Sequence, residues 1–130
     1  MSESQHISTY IERPAAEVYA YASSPANLPD WASGLGGAIE ERDGRWFADS
    51  PMGEIEVIIV PENPYFVVDH EVRLANGTSF DNPMRVIADG TGCEVVFTLR
   101  RRADQSDDDY EADATAIRTD LATLKRLLER

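Results

Sequence analysis

Cysteine is nearly absent. Cys93 stands alone among 130 residues, so no disulfide can close within the chain, and a reducing compartment is the natural reading. Long apolar runs are missing too: the longest clean stretch, Ile55 to Val60, is interrupted by Glu56 and falls far short of the roughly 20 residues a bilayer span requires. No basic segment followed by an apolar one opens the chain, so no leader is read there. Positive charge is scarce, with 12 Lys plus Arg against 24 Asp plus Glu and a net charge of −12. Binding phosphates takes a basic surface, and the one basic cluster, Arg100-Arg101-Arg102, reads as a solvated strand end. Nucleic acid and membrane insertion are therefore disfavoured, and the acidity is read as a device for solubility. Histidine is also rare: His6 and His70, even with Cys93, have no metal-ligand spacing, and Asp107-Asp108-Asp109 reads as a helix start, so no metal site is expected. Cys93 lacks a second inward histidine to activate it, and neither Ser33-Gly34 nor Ser50 sits in a nucleophile-elbow sequence. What remains is a single domain over residues 1–130, soluble and cytoplasmic, with no cofactor implied and its oligomeric state unread.

The most unambiguous stretch is the last one. Tyr110, Ala114, Ile117, Leu121, Leu124 and Leu128 recur at steps of four and three, which puts them in one stripe down a helix. Ser106 is the expected N-cap, with aspartates in the first turn and Lys125 and Arg126 in the last, as the macrodipole prefers. Such a helix is roughly 37 Å long at about 1.5 Å per residue, and its stripe needs a cover.

The rest of the chain supplies one. Residues 4 to 12 alternate as a first strand, Pro14 opens a short helix to Ala22, and Pro25 to Trp31 suggests a second. Gly34, Gly36 and Gly37 mark a loop. Turn signals then recur at Asp43-Gly44, Pro51-Met52-Gly53, Pro61-Glu62-Asn63-Pro64, Asn76-Gly77 and Asp89-Gly90-Thr91-Gly92. They punctuate an antiparallel meander of six strands near 38–42, 45–50, 54–60, 65–74, 78–88 and 93–102.

Register decides which side chains point inward. A two-residue loop at Asn76-Gly77 would mix apolar and charged positions on one face. A three-residue loop, Ala75-Asn76-Gly77 with Gly77 left-handed, instead sets Val72 opposite Phe80, His70 opposite Asn82, Val68 opposite Met84 and Phe66 opposite Val86. Neighbouring turns then pair Met84 with Phe97, Val86 with Val95, Ile59 with Phe66, Val57 with Val68, Ile55 with His70, Trp46 with Val57 and Ala48 with Ile55. One apolar face results, and Glu54, Glu56, Asp69, Glu71, Arg73, Arg85, Glu94, Thr98 and Arg100 fall on a charged outer face.

The run Ile11-Glu12-Arg13-Pro14-Ala15-Ala16-Glu17-Val18-Tyr19, then Leu28-Pro29-Asp30-Trp31, and the closing Leu124-Lys125-Arg126-Leu127-Leu128 resemble the START-like (SRPBCC) superfamily. Within it, the resemblance is to the bacterial polyketide cyclase/dehydrase type. The resemblance spans essentially the whole chain and implies an α+β helix-grip fold: a twisted seven-stranded antiparallel sheet wrapped around a long C-terminal helix, with two short helices after the first strand. It also implies a cavity between sheet and helix that takes a small hydrophobic or amphipathic ligand. On the register above, that cavity is lined by Trp46, Val57, Val68, His70, Phe80, Asn82, Met84, Val95 and Phe97. Ala114, Ile117 and Leu121 close it from the helix, with Tyr19 and Trp31 near the rim. The small side chain of Ala114 leaves room that leucine would fill. His70 and Asn82 are the sharpest polar candidates, as ligand anchors or, in a cyclase- or dehydratase-like enzyme, as acid-base group and orienter; a satisfied core pair is the plainer alternative. Glu41 falls on the inward side beside Trp46, though a carboxylate reaching water from a frayed strand end is the favoured reading. A third reading is an interaction module like the superfamily's co-chaperone branch.

Overall fold

The structure, a computed structural model, describes residues 3–34 and 38–130; Gly36 and Gly37 of the expected glycine loop lie outside the described residues. Strand β1 (Ser4–Ile11) leads through Pro14 into helix α1 (Ala15–Ala22). A 3-10 turn (Pro25–Asn27) and the single turn α2 (Leu28–Trp31) follow. The meander comprises β2 (Ile39–Arg42), β3 (Arg45–Ser50), β4 (Gly53–Ile59), β5 (His70–Leu74), β6 (Ser79–Asn82), β7 (Met84–Asp89) and β8 (Gly92–Arg100), and α3 (Asp107–Leu128) closes the chain.

Among the described residues the expected seven-stranded sheet is instead eight strands in two sheets, ordered β1-β8-β7 and β2-β3-β4-β5-β6. Pro83 is the reason. Expected strand 78–88 cannot run through it, because proline gives the ladder no N–H. The stretch before Pro83 pairs with β5 and the stretch after it with β8. The sheets stay joined where residues 66–68 run beside β7: Val68 donates to the Met84 carbonyl at 2.8 Å and Val86 to that of Phe66 at 3.0 Å.

The three-residue loop at Asn76-Gly77 is present. Gly77 takes φ 91°, His70 lies opposite Asn82 and Val72 opposite Phe80. The pairs Met84 with Phe97, Val86 with Val95, Trp46 with Val57 and Ala48 with Ile55 also stand. The β4–β5 register does not. Val57 faces Val72 rather than Val68, Ile55 faces Leu74 rather than His70, and Ile59 faces His70 rather than Phe66. Expected strand 65–74 shortens to β5 because Asn63 reorganises the connection before it. Its side-chain oxygen accepts from the Tyr65 and Val67 amides, both at 3.1 Å, and its amide donates to the carbonyls of Pro61 at 3.1 Å and Val67 at 3.0 Å. Phe66 is left-handed at φ 59° and packs on the Tyr19 ring 5.3 Å away. The slip is even, so side chains keep their faces while their partners change.

On the outer face the charges pair. Arg45 grips Glu56 through two hydrogen bonds at 3.0 and 2.8 Å, and Arg85 grips Asp69 at 3.0 and 2.9 Å. The Arg45 hydrogen bonds hold the Glu56 carboxyl below its ordinary range. Burial would raise Asp69, but Arg85 and the Met84 amide outweigh it and hold that carboxyl low as well.

Helix α3 begins as expected, with the Ser106 side chain accepting from the Asp109 amide at 3.1 Å. It packs over β1 and β8 and meets α2. Its C-terminus is clamped to the start of the chain: Lys125 Nζ donates to the Tyr10 carbonyl at 2.7 Å, and Arg13 Nε to that of Leu128 at 2.8 Å. These cations meet the unpaired carbonyl end of the helix and a neighbouring strand, where the macrodipole favours positive charge. Beneath the helix, Ile11, Val18, Met84, Cys93, Val95, Ala114 and Leu124 are completely buried.

Candidate functional site

Between α2, the middle of α3 and the inner face of β4, β5 and β6 lies a cavity of about 250 Å³. Its apolar wall comes from Leu28 and Trp31 on α2, Ile55 and Val57 on β4, Val72 on β5, Phe97 on β8 and Ile117 on α3. Four side chains add polar atoms: Ser50, His70, Asn82 and Asp120. Four other depressions are larger, two of about 350 and 270 Å³ along β3 and β4 and two of about 620 and 500 Å³. The largest lies between α1 and the β4–β5 connection and includes Tyr19, Ser23, Ser24, Glu62 and Asn63; the next includes Asp69, Glu71, Asp81 and Arg100. Wall chemistry, not volume, selects the cavity under α3, because a small-molecule site is mostly apolar with a few placed polar groups.

Trp31, Val57, His70, Asn82, Phe97 and Ile117, all expected from sequence, line this cavity. Others do not. Val68, Met84, Val95, Ala114 and Leu121 are sealed in the core at 2% exposure or less. For Val68 the cause is the β4–β5 slip, which brings Val72 to the position facing Val57. Trp46 is half-buried opposite Val57 but off the wall, and Phe80 lies under the Arg102 guanidinium, 4.9 Å from its ring centre. Tyr19 serves the groove beside α1, where its hydroxyl accepts from the Asn63 amide at 3.0 Å. Glu41 pairs with Trp46 as expected and is exposed, since β2 is the edge strand of its sheet.

His70 and Asn82 face each other across β5 and β6, yet each bonds its own strand. His70 Nδ1 lies 3.0 Å from the Val68 carbonyl, and Asn82 Nδ2 donates to the Phe80 carbonyl at 3.4 Å. A carbonyl only accepts, so Nδ1 carries the proton and the neutral ring keeps its Nε2 lone pair. Burial pushes His70 below the ordinary histidine range, against the Val68 carbonyl and Asp69, which favour the charged form. The ring meets Phe97 edge-on, 5.9 Å between centres. Both residues also border the 500 Å³ depression, so they stand between the internal cavity and the outer surface where the strand breaks at Pro83.

Asp120 was not among the residues expected from sequence. It follows Ile117 by three and sits on the flank of the apolar stripe, where an aspartate looks like ordinary solvated surface. The fold turns that flank toward α2, and the Ser33 amide donates to its Oδ1 at 3.0 Å. Burial raises its carboxyl above the ordinary range, opposed by the Ser33 amide and hydroxyl. No cation lies within ion-pair distance of it among the described residues. Trp31 contributes its ring to the wall, while its Nε1 is sealed from solvent and lacks a hydrogen-bond partner among the described residues.

Among the described residues no group of three or more His, Cys, Asp or Glu side chains could hold a metal ion, and no helix is long and apolar enough to cross a membrane.

No protein-family model matches the sequence, and no curated protein does. Solved structures are similar over nearly the whole chain. The Zhui aromatase/cyclase from Streptomyces sp. R1128 superposes with a TM-score of 0.72 at 14% identity, over 100% of this chain and 95% of that one. The di-domain ARO/CYC BexL, from the BE-7585A biosynthetic pathway, gives 0.74 at 15% identity, over 98% of this chain and 46% of its own. Ara h 8.0201 gives 0.68 at 11% identity, over 98% and 97%. With a long C-terminal helix laid across antiparallel strands, and with these structural neighbours, the chain has the START-like helix-grip fold that its sequence resembles.

Proposed function

We propose that this protein binds a small, largely apolar molecule in the cavity between α3 and the β4-β5-β6 face. The observation that carries the reading is the wall itself: seven apolar side chains from α2, β4, β5, β8 and α3, joined by Ala32 and Met52 and interrupted by Ser50, His70, Asn82 and Asp120. At about 250 Å³ the space is below the roughly 300–1,000 Å³ of pockets for drug-sized ligands, which points to a compact occupant. Titration with the apolar fluorophore N-phenyl-1-naphthylamine tests this. Saturable binding to one site is expected in the wild type. Ile117→Trp, which fills the cavity from the helix side, should abolish that binding while the protein remains folded. A dye that fails to saturate, or binds Ile117→Trp equally well, contradicts the reading.

A second reading has a specific observation in its favour. His70 lines the cavity as a neutral imidazole with Nε2 unbonded, which is the form a general base requires. With Asn82 opposite, this supports cyclase- or dehydratase-like proton transfer, and the Zhui and BexL neighbours carry aromatase/cyclase in their names. Under that reading His70→Gln removes turnover of a keto-bearing substrate and leaves dye binding intact.

A further inference from the structure

The polar atoms of the cavity wall are not a random mixture of donors and acceptors. His70 has one proton in its neutral form, and it faces the Val68 carbonyl at 3.0 Å. Ser50 has one, and its hydroxyl donates it to the Gly53 carbonyl at 2.8 Å. The Trp31 N–H is sealed from solvent. One of the two Asn82 amide protons goes to the Phe80 carbonyl at 3.4 Å. The side-chain donors of the wall are thus committed to the protein's own backbone or closed off among the described residues, save one N–H of Asn82.

The acceptors are not. His70 Nε2 and Asn82 Oδ1 have no hydrogen-bond partner among the described residues, and Asp120 is met only by Ser33. A carboxylate has room for about four hydrogen bonds, so the Ser33 contacts leave Asp120 with capacity to spare. These acceptors come from β5, β6 and α3, on opposite sides of a wall that is otherwise apolar. An acceptor that a bound ligand cuts off from water without bringing it a proton becomes costly.

Resting on the cavity-binding reading above, we propose that the ligand is a hydroxylated apolar compound, an alcohol or phenol, whose hydroxyl proton is accepted by Asp120 or by His70 Nε2. A ligand that offers only carbonyl or ether oxygens is rejected. The discrimination follows the rule that a site built to hydrogen-bond a hydroxyl selects strongly against the analogue lacking it.

Three naphthalenes of similar shape test this. 2-Naphthol has a hydroxyl proton, whereas 2-methoxynaphthalene and 2-acetonaphthone carry only acceptors. Calorimetric titration of the full chain at pH 7 should show 2-naphthol binding at least about tenfold tighter than either. Asp120→Asn, which replaces one acceptor oxygen by donors, should lower the naphthol-to-ether ratio several-fold. A purely structural role for Asp120, tying down Ser33, would weaken all three probes together and keep the ratio. Should Asp120→Asn fail to fold, His70→Phe reads the same ratio by removing Nε2. If all three probes bind alike, or the ketone binds best, the cavity stands and the acceptor reading falls. If none binds, the cavity reading fails and this inference with it.

Discussion

Helix α3 meets two kinds of neighbour, and the contrast between them explains how one apolar stripe serves two purposes. Against β1, β8 and α1 the interior is closed: Ile11, Val18, Cys93, Val95, Ala114 and Leu124 have no exposure at all. Against α2 and the β4-β5-β6 face, Ile117 and Asp120 border open volume. Both regions are built mostly from apolar side chains, so polarity alone does not separate them. The sheet does. Strand β8 lies directly under the helix, and the break at Pro83 lets β5 and β6 leave the line of β7 and β8, opening space beneath the middle of α3.

Substitutions in the two regions should therefore behave differently. The largest stability loss belongs to the closed region. Leu124→Ala leaves a void at a fully buried site and should cost about 2–5 kcal/mol in urea denaturation. Binding of an apolar probe by the folded fraction should remain. Ala114→Leu comes next. From sequence, a leucine here fills the cavity; in the structure Ala114 is sealed in core, so it should overpack that core at about 1–3 kcal/mol and leave probe affinity unchanged. Loss of affinity without loss of stability would move the boundary between the two regions. Ser106→Ala removes the N-cap hydrogen bond, remote from both, and should cost about 1 kcal/mol, read as a lower melting temperature.

The smallest effect is a pH dependence on the cavity side. Burial lowers the His70 pKa, so the unfolded chain takes up the proton more readily than the native protein. The stability contributed by the neutral ring is complete above about pH 6.5 and is lost as pH falls through that ordinary value and below. His70→Gln should therefore lose less stability than wild type between pH 7.5 and about 5.5. The depressed carboxyls of Glu56 and Asp69 withdraw their contributions only at lower pH, below about 4.3, and Asp120, raised by burial, acts in the opposite sense. Urea melts across this range in wild type and variant separate these contributions.

Much of the fold was legible because its signals are local. The stripe on α3, its Ser106 cap, the proline entry to α1 and the Asn76-Gly77 loop each depend on a handful of adjacent residues. The β4–β5 register was not legible, because the connection between them is organised by one side chain, Asn63, hydrogen-bonding to four backbone groups. Nothing in Pro61-Glu62-Asn63-Pro64 announces that residues 65–69 will be withdrawn from the strand. That four-residue slip kept inward positions inward, which is why Val57 and His70 were found and why Val68 was taken for Val72. Asp120 escaped for a different reason. An aspartate beside an apolar stripe is expected at a solvent boundary, and only the packing of α2 against α3 makes it the carboxylate of a cavity.

The contrast between closed core and open cavity can be observed directly by recording methyl chemical shifts of the folded protein during titration with 2-naphthol. Saturable shifts confined to Ile55, Val57, Val72 and Ile117 are expected, with Val18, Val95 and Leu124 unmoved. Shifts spread evenly over both sets, or centred on the groove beside α1 at Ala16, Ala20 and Val60, would contradict that contrast.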